Sequence, residues 1–263
     1  MHDIAFVFAG FAVGLIVGVT GVGGGSLMTP LLIFFFGIKP YLAVGTDLLF
    51  AAFTKMGGTV SLSRQKLVPW RVVGQLCAGS IPAALLTLYL LQQVGPASKQ
   101  AQSLMTHTLG VALLLTAAAT LYKTLKGKQT VRRLDAADLQ QATQARHWSL
   151  PVLFGAFIGC LVTLSSVGAG AIGVTVLMLL YPRLPLARIV AADIAYAVPL
   201  TLVAGMGHAS LGSVDWSLLG LLLVGSLPGI WLGSRLVVKT PERLIRSILS
   251  VLLAWAGLKL FAI

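Results

Sequence analysis

Apolar residues fill this chain in long runs separated by short polar joints. The runs have helical length and recur from end to end, a pattern that predicts an all-α polytopic membrane protein. Eight segments are expected, near residues 4–36, 41–62, 69–92 and 102–122, then near 149–180, 187–207, 215–236 and 243–262. Residues 123–147 form the one long polar stretch, opening with KTLKGKQTVRRLD, and are expected to be a solvated connector. Two of the segments are interrupted by glycine. One reads TGVGGGSLMTP from Thr20 to Pro30, the other SSVGAGAIGVT from Ser165 to Thr175. Lipid offers no partner to open backbone, so a helix broken at membrane depth has to be buried in protein or line a cavity. Paired breaks in related halves point to a transport site near the midplane.

The halves are related by an offset of 145 to 146 residues. Gly10, Gly14, Val17, Val22, Gly23 and Gly25 match Gly155, Gly159, Val162, Val167, Gly168 and Gly170. Val44 and Asp47 match Val190 and Asp193, Trp70 matches Trp216, and GSIP (79–82) matches GSLP (225–228). The chain is therefore expected to be two repeats, 1–122 and 148–263, joined by the connector 123–147. Each repeat has one broken segment and three plain ones.

Whether the broken segments cross the membrane decides the architecture, and charge arbitrates. With the connector in the cytoplasm, crossing segments put ten Lys and Arg residues inside and eight outside. Re-entrant segments put fifteen inside and leave only Lys39, Lys99 and Lys259 outside, with Lys55 within a span. The positive-inside rule favours the second arrangement. Length agrees, since pieces such as 4–18 and 25–36 fall short of the ~20 residues that span a bilayer. The expected fold is thus two inverted repeats, each with a re-entrant hairpin and three transmembrane helices, and with both termini outside. Tilted, partly unwound spans are the alternative.

Composition adds little to this but removes other classes. The chain is 57% hydrophobic and 10% charged, far from a soluble domain. Its net charge of +12 sits in short loops, so the positive-inside rule accounts for it and no nucleic acid is expected. The opening MHDIAFVFAGFAVG lacks a basic n-region, so no cleaved signal peptide is expected. Cys77 and Cys160 have no metal-ligand spacing and read as packing residues, with Cys160 near enough to the second break to face a cavity. No metal and no cofactor is expected.

The chemistry expected at the breaks is anion binding. Gly23, Gly24 and Gly25 let the backbone take φ > 0 and approach a ligand. Ser26 then starts a half-helix whose first N–H groups lack intrahelical partners and carry the positive end of the dipole. Gly168, Ala169 and Gly170 repeat the arrangement, and Thr20, Ser26, Ser165 and Ser166 can add hydroxyl donors. The candidate binding set is Thr20, Gly21, Val22, Gly23, Gly24, Gly25 and Ser26 with Ser165, Ser166, Gly168, Ala169 and Gly170. Lys55, whose matched position is Thr201, joins it as a substrate contact or as an ion-pair partner of Asp47 or Asp193. Those two carboxylates are costly inside a membrane and serve either coupling or structure. Glycines can also serve close helix packing. His107 and His208 lie near span ends and read as interfacial.

The layout, the GVGGGSLMTPLL and VGTDLL segments and the GSIP and GSLP pair resemble the sulfite exporter TauE/SafE family, also called the toluene sulfonate uptake permease family. The resemblance covers nearly the whole chain. It implies a multi-pass carrier of the bacterial plasma membrane for anions such as sulfite, sulfonates or sulfoacetate. Ala169 departs from the glycine triplet of the first break. With no ATP-binding motif, transport would run on gradients by alternating access. The partners expected are a small anion and the lipid bilayer, with protons a candidate coupling ion and a homo-oligomer a candidate assembly. An anion channel, or a membrane hydrolase built on Ser165 or Ser166 with a histidine, are the competing functions.

Overall fold

Proline and glycine mark where these helices start and stop. Pro40 stands at the first helical position after Lys39, and Pro69 and Pro185 stand just ahead of helices. Gly95, at φ 81°, closes another. The computed structural model describes residues 2–20, 25–125, 143, 149–236 and 242–261. Gly21, Val22, Gly23 and Gly24 lie outside the described residues, as do most of the connector and the side chains of Thr20 and Ser26.

Ten helices occur among the described residues, and no strand. They are α1 (His2–Thr20), α2 (Gly25–Phe36), α3 (Pro40–Arg64), α4 (Trp70–Val94) and α5 (Lys99–Leu125). After the connector come α6 (Ser149–Ser165), α7 (Ala171–Leu180), α8 (Leu186–Ser210), α9 (Trp216–Leu236) and α10 (Glu242–Leu260). The breaks expected after Thr20 and Ser165 both separate helices.

Among the described residues four helices are long and apolar enough to cross a membrane: Trp70–Val94, Lys99–Tyr122, Leu186–Ser210 and Trp216–Gly233. Two other helices expected to span, α3 and α10, are not among them. The apolar part of α10 is the shorter Ser247–Leu260. Helix α3 has the 25-residue length of α8 but is less apolar, carrying Asp47, Lys55 and Arg64. Its burial explains the difference. Ala43 through Ala52 are buried on every face of α3, so protein, not lipid, surrounds them. The periphery shows the opposite pattern. Leu86 and Tyr89 of α4, Trp231 of α9 and Trp255 of α10 are exposed large apolar groups, as a lipid-facing belt requires.

Packing crosses from one half of the chain to the other. Gly10 and Gly14 of α1 lie against the backbone of Leu222 and Ser226 of α9. Gly155 and Gly159 of α6 lie against Leu76 and Ser80 of α4. The contact residues increase together, so α1 runs parallel to α9 and α6 parallel to α4. Reciprocal contacts come from Gly225 on Val7 and Gly79 on Val152. Small residues permit this approach where no side chain would fit. At the centre, α3 and α8 run antiparallel, with Gly45 beside His208, Leu49 beside Gly205 and Gly58 beside Ile194. Helix α5 pairs with α10 in the same antiparallel sense, through Gly110 with Gly257 and His107 with Phe261.

Both broken segments fold back on themselves. Phe36, at the end of α2, packs on Phe6 near the start of α1 with ring centroids 4.7 Å apart. Tyr181, just past α7, donates its hydroxyl to Gln75 Oε1 at 2.7 Å. Gln75 is next to Leu76, which meets Gly155 early in α6. Helix α7 therefore returns toward the end at which α6 began.

The glycine seams make a stability prediction. Gly225→Ala drives a methyl into the backbone of Val7 and is expected to cost about 1–3 kcal/mol. Gly220→Ala, one turn earlier on open space, is expected to stabilise by about 0.5–1 kcal/mol. Thermal unfolding of the detergent-purified protein separates them; equal midpoints would remove the seam.

Candidate functional site

The second break is the better described of the two, and its backbone is held in conformations that ordinary residues avoid. Helix α6 ends at Ser165, after which Ser166 takes φ 59°, Gly168 φ 134° and Gly170 φ 141°. The last two lie in the region that favours glycine. The intrahelical ladder of α7 then starts with Gly173 N–H to Gly168 O at 3.1 Å and Val174 N–H to Gly170 O at 2.9 Å. The N–H groups of Gly170, Ala171 and Ile172 precede that ladder and stay outside it, as helix N-termini require.

The freed carbonyls at the end of α6 are met from several directions. Ser165 folds its hydroxyl onto Leu161 O at 2.6 Å and accepts Val167 N–H at 3.1 Å. His208, from α8, donates through Nε2 to Thr163 O at 2.9 Å. Lys55, from α3, donates Nζ to Ala169 O at 3.1 Å. An ammonium and an imidazole from the central helix pair thus hold the break in place.

His208 corrects the sequence reading. It is fully buried between α3, α6 and α8, not interfacial, because the open end of α6 needs a donor there. Cys160 is exposed on the seam with α4, its Sγ facing Ala83 O, and so belongs to packing rather than to the break.

Three charged groups share the core around the break. Asp47 and Asp193 are 0% and 2% exposed, and Lys55, at 8%, interacts electrostatically with both. Thr29 of α2 donates its hydroxyl to Asp47 Oδ2 at 2.5 Å, and Ser166 lies beside the same carboxylate. Asp193 lies against Gly173 of α7, close to the Tyr196 hydroxyl. Each carboxylate therefore meets the early turns of the second broken helix in its own half. Asp47 also reaches the break of the other half through Ser166.

Of the predicted residues, the fold brings Lys55, Asp47, Asp193, Ser165, Ser166, Gly168, Ala169 and Gly170 together. Thr20 ends α1, and Gly25 and Ser26 begin α2. Thr29, Tyr196 and His208 were not chosen from sequence. Thr29 lies within the quoted TGVGGGSLMTP motif, one turn past the glycines, and a search for hydroxyls at that spacing would have found it. Ser165 Oγ bonds Leu161 O and His208 Nε2 bonds Thr163 O, so these contacts do not pair this serine with this histidine.

The chain matches the sulfite exporter TauE/SafE family over residues 6–260. It belongs to that family. It is 35% identical over 258 residues to the "Probable membrane transporter protein YjnA" of Bacillus subtilis (strain 168), covering 98% of this chain and 99% of the relative. It is also 26% identical over 254 residues to the "Probable membrane transporter protein YdhB" of the same organism, covering 95% and 96%. No solved structure matches. For a TauE/SafE membrane transporter, a buried break lined by charge is the natural place to look for the transported species.

The Thr29 contact is testable by itself. Thr29→Val leaves Asp47 short of a buried donor and is expected to cost about 1–3 kcal/mol, with Thr29→Ser close to neutral. Unfolding midpoints that are the same for both variants would show that the hydroxyl does not serve Asp47.

Proposed function

We propose that this chain is a secondary carrier that moves small, sulfur-containing anions of the sulfite, sulfonate and sulfoacetate class across the plasma membrane by alternating access. The anion is held at the N-termini of the broken helices. The observation that carries the reading is the second break. Positive-φ backbone frees a set of N–H groups at the start of α7, and these lie in the core next to the Lys55 ammonium. Donors of this kind suit an oxyanion and need no cofactor. Membership of the TauE/SafE family, with its sulfite exporter description, supports the choice of anion.

The architecture proposed with it is two inverted repeats, 1–122 and 148–263, around a cytoplasmic connector, with both termini outside. The fold-back of α2 and α7 and the cross-half pairing of α1 with α9 and α4 with α6 support it, as does the charge bias of the loops. Protons are the proposed coupling ion. Among the described residues two carboxyls and one amine share the core, and a protonated carboxyl lowers the cost of bringing an anion beside them.

Proteoliposomes holding the purified protein are expected to take up labelled sulfite with saturation and counterflow, and to slow when a protonophore collapses the proton gradient. Flux without saturation or counterflow would make the protein a channel. For topology, Arg183→Cys and Ser210→Cys, both at exposed positions, are expected to react from opposite faces, the first from the cytoplasm. Reaction of Arg183→Cys only from outside would sink the inverted arrangement.

A further inference from the structure

One tyrosine hydroxyl is left open in the core. Tyr196 of α8 is 0% exposed, and its ring packs in the apolar cluster that joins α4, α6, α7 and α8. Its hydroxyl has no hydrogen-bond partner among the described residues. Buried tyrosine hydroxyls usually find one, because an open donor keeps the full cost of its lost hydration. Packing does not account for the hydroxyl. Tyr196 lies three residues past Asp193, and the matched residue three past Asp47 is Phe50. Phe50 is 1% exposed, so a ring without a hydroxyl fills the core at the matched place.

The open hydroxyl faces the first turn of α7. A methyl on Gly173 would stand 3.3 Å from Tyr196 Oη and would collide with Asp193 Oδ1. Gly173 therefore keeps clear a space that both oxygens border. It directly follows Gly170, Ala171 and Ile172, whose N–H groups precede the helical ladder. Asp193 stands nearly one turn earlier on α8 and acts on the hydroxyl through charge, with no hydrogen bond to it.

We infer that the Tyr196 hydroxyl is a substrate contact, donating its hydrogen bond to the transported anion at the first turn of α7. The inference rests on the carrier reading above and deepens it by naming a neutral donor for the anion. An oxyanion placed there completes the bonding of the hydroxyl. A phenol supplies that bond without adding charge to the core, and a bond to a charged acceptor is stronger than one between neutral groups. Asp193 borders the same space. The proton of the carrier reading, placed on its carboxyl, sets a second O–H donor beside the first and removes the charge that repels an anion.

Isothermal titration of the full-length purified protein with sulfite, and separately with methanesulfonate, is paired with thermal unfolding of the anion-free protein. Tyr196→Phe is expected to weaken binding roughly tenfold or more. Its unfolding midpoint is expected to equal or exceed that of the unaltered protein, because the variant loses an open hydroxyl and no bond. Tyr181→Phe is the contrast. Its hydroxyl bonds Gln75 Oε1 at 2.7 Å, so this variant is expected to unfold earlier and to keep its affinity within about threefold. Unchanged affinity in Tyr196→Phe would leave the hydroxyl to an ordered water and overturn the inference. A lowered midpoint in Tyr196→Phe, or its failure to fold, would show that the hydroxyl serves the fold and overturn it equally. Failure of the unaltered protein to bind either probe would strike the carrier reading itself, whereas binding that survives in Tyr196→Phe strikes the inference alone.

Discussion

Backbone that is opened inside a membrane must be satisfied by the protein, and the rest of this structure follows from that requirement. Between α6 and α7 the chain abandons helical bonding at the centre of the fold. The donors that repair it come from distant segments: His208 to Thr163 O and Lys55 to Ala169 O. Neither contact exists until α3 and α8 have packed between the two halves. The break is therefore a product of assembly, and its glycines only make it sterically possible.

The same requirement explains the architecture of the core. Helices α3 and α8 carry the charges and are shielded by α4, α5, α9 and α10, which present their apolar sides outward. Helix α3 can carry Asp47 and Lys55 because lipid does not touch it there. Close glycine seams join α1 to α9 and α6 to α4, so each half is completed by the other. A broken segment pinned along a full-length helix of the opposite half cannot drift out of the core.

Charge gathers at the centre of this scaffold. Among the described residues, Asp47, Asp193 and Lys55 share the core, with hydroxyls from Thr29, Ser166 and Tyr196 beside the two carboxyls. In the proposed carrier, an anion entering this set would be offset by a proton on one of the carboxyls. The matched positions of Asp47 and Asp193 give the set its symmetry, and Lys55 against Thr201 breaks it.

Periodicity, glycine placement and the family motifs were readable in the sequence because each is local. Runs of apolar residues predict helices to within a few positions, as with 102–122 against α5 at Lys99–Leu125. The breaks after Thr20 and Ser165 follow from glycine content, and Asp47 and Asp193 stand out as carboxylates in apolar segments. The partners of those residues were not readable. Thr29 lies 18 residues from Asp47, His208 lies 45 from Thr163, and Lys55 lies 114 from Ala169. His208 read as interfacial for the same reason, since position along a helix does not reveal what packs beside it. Sequence alone determined the helices, their interruptions and the charged residues among them, because backbone conformation and solvation act within a few residues. Only the tertiary structure decided which break receives the ammonium and the imidazole, because hydrogen bonds reach about 3 Å in space whatever the distance along the chain.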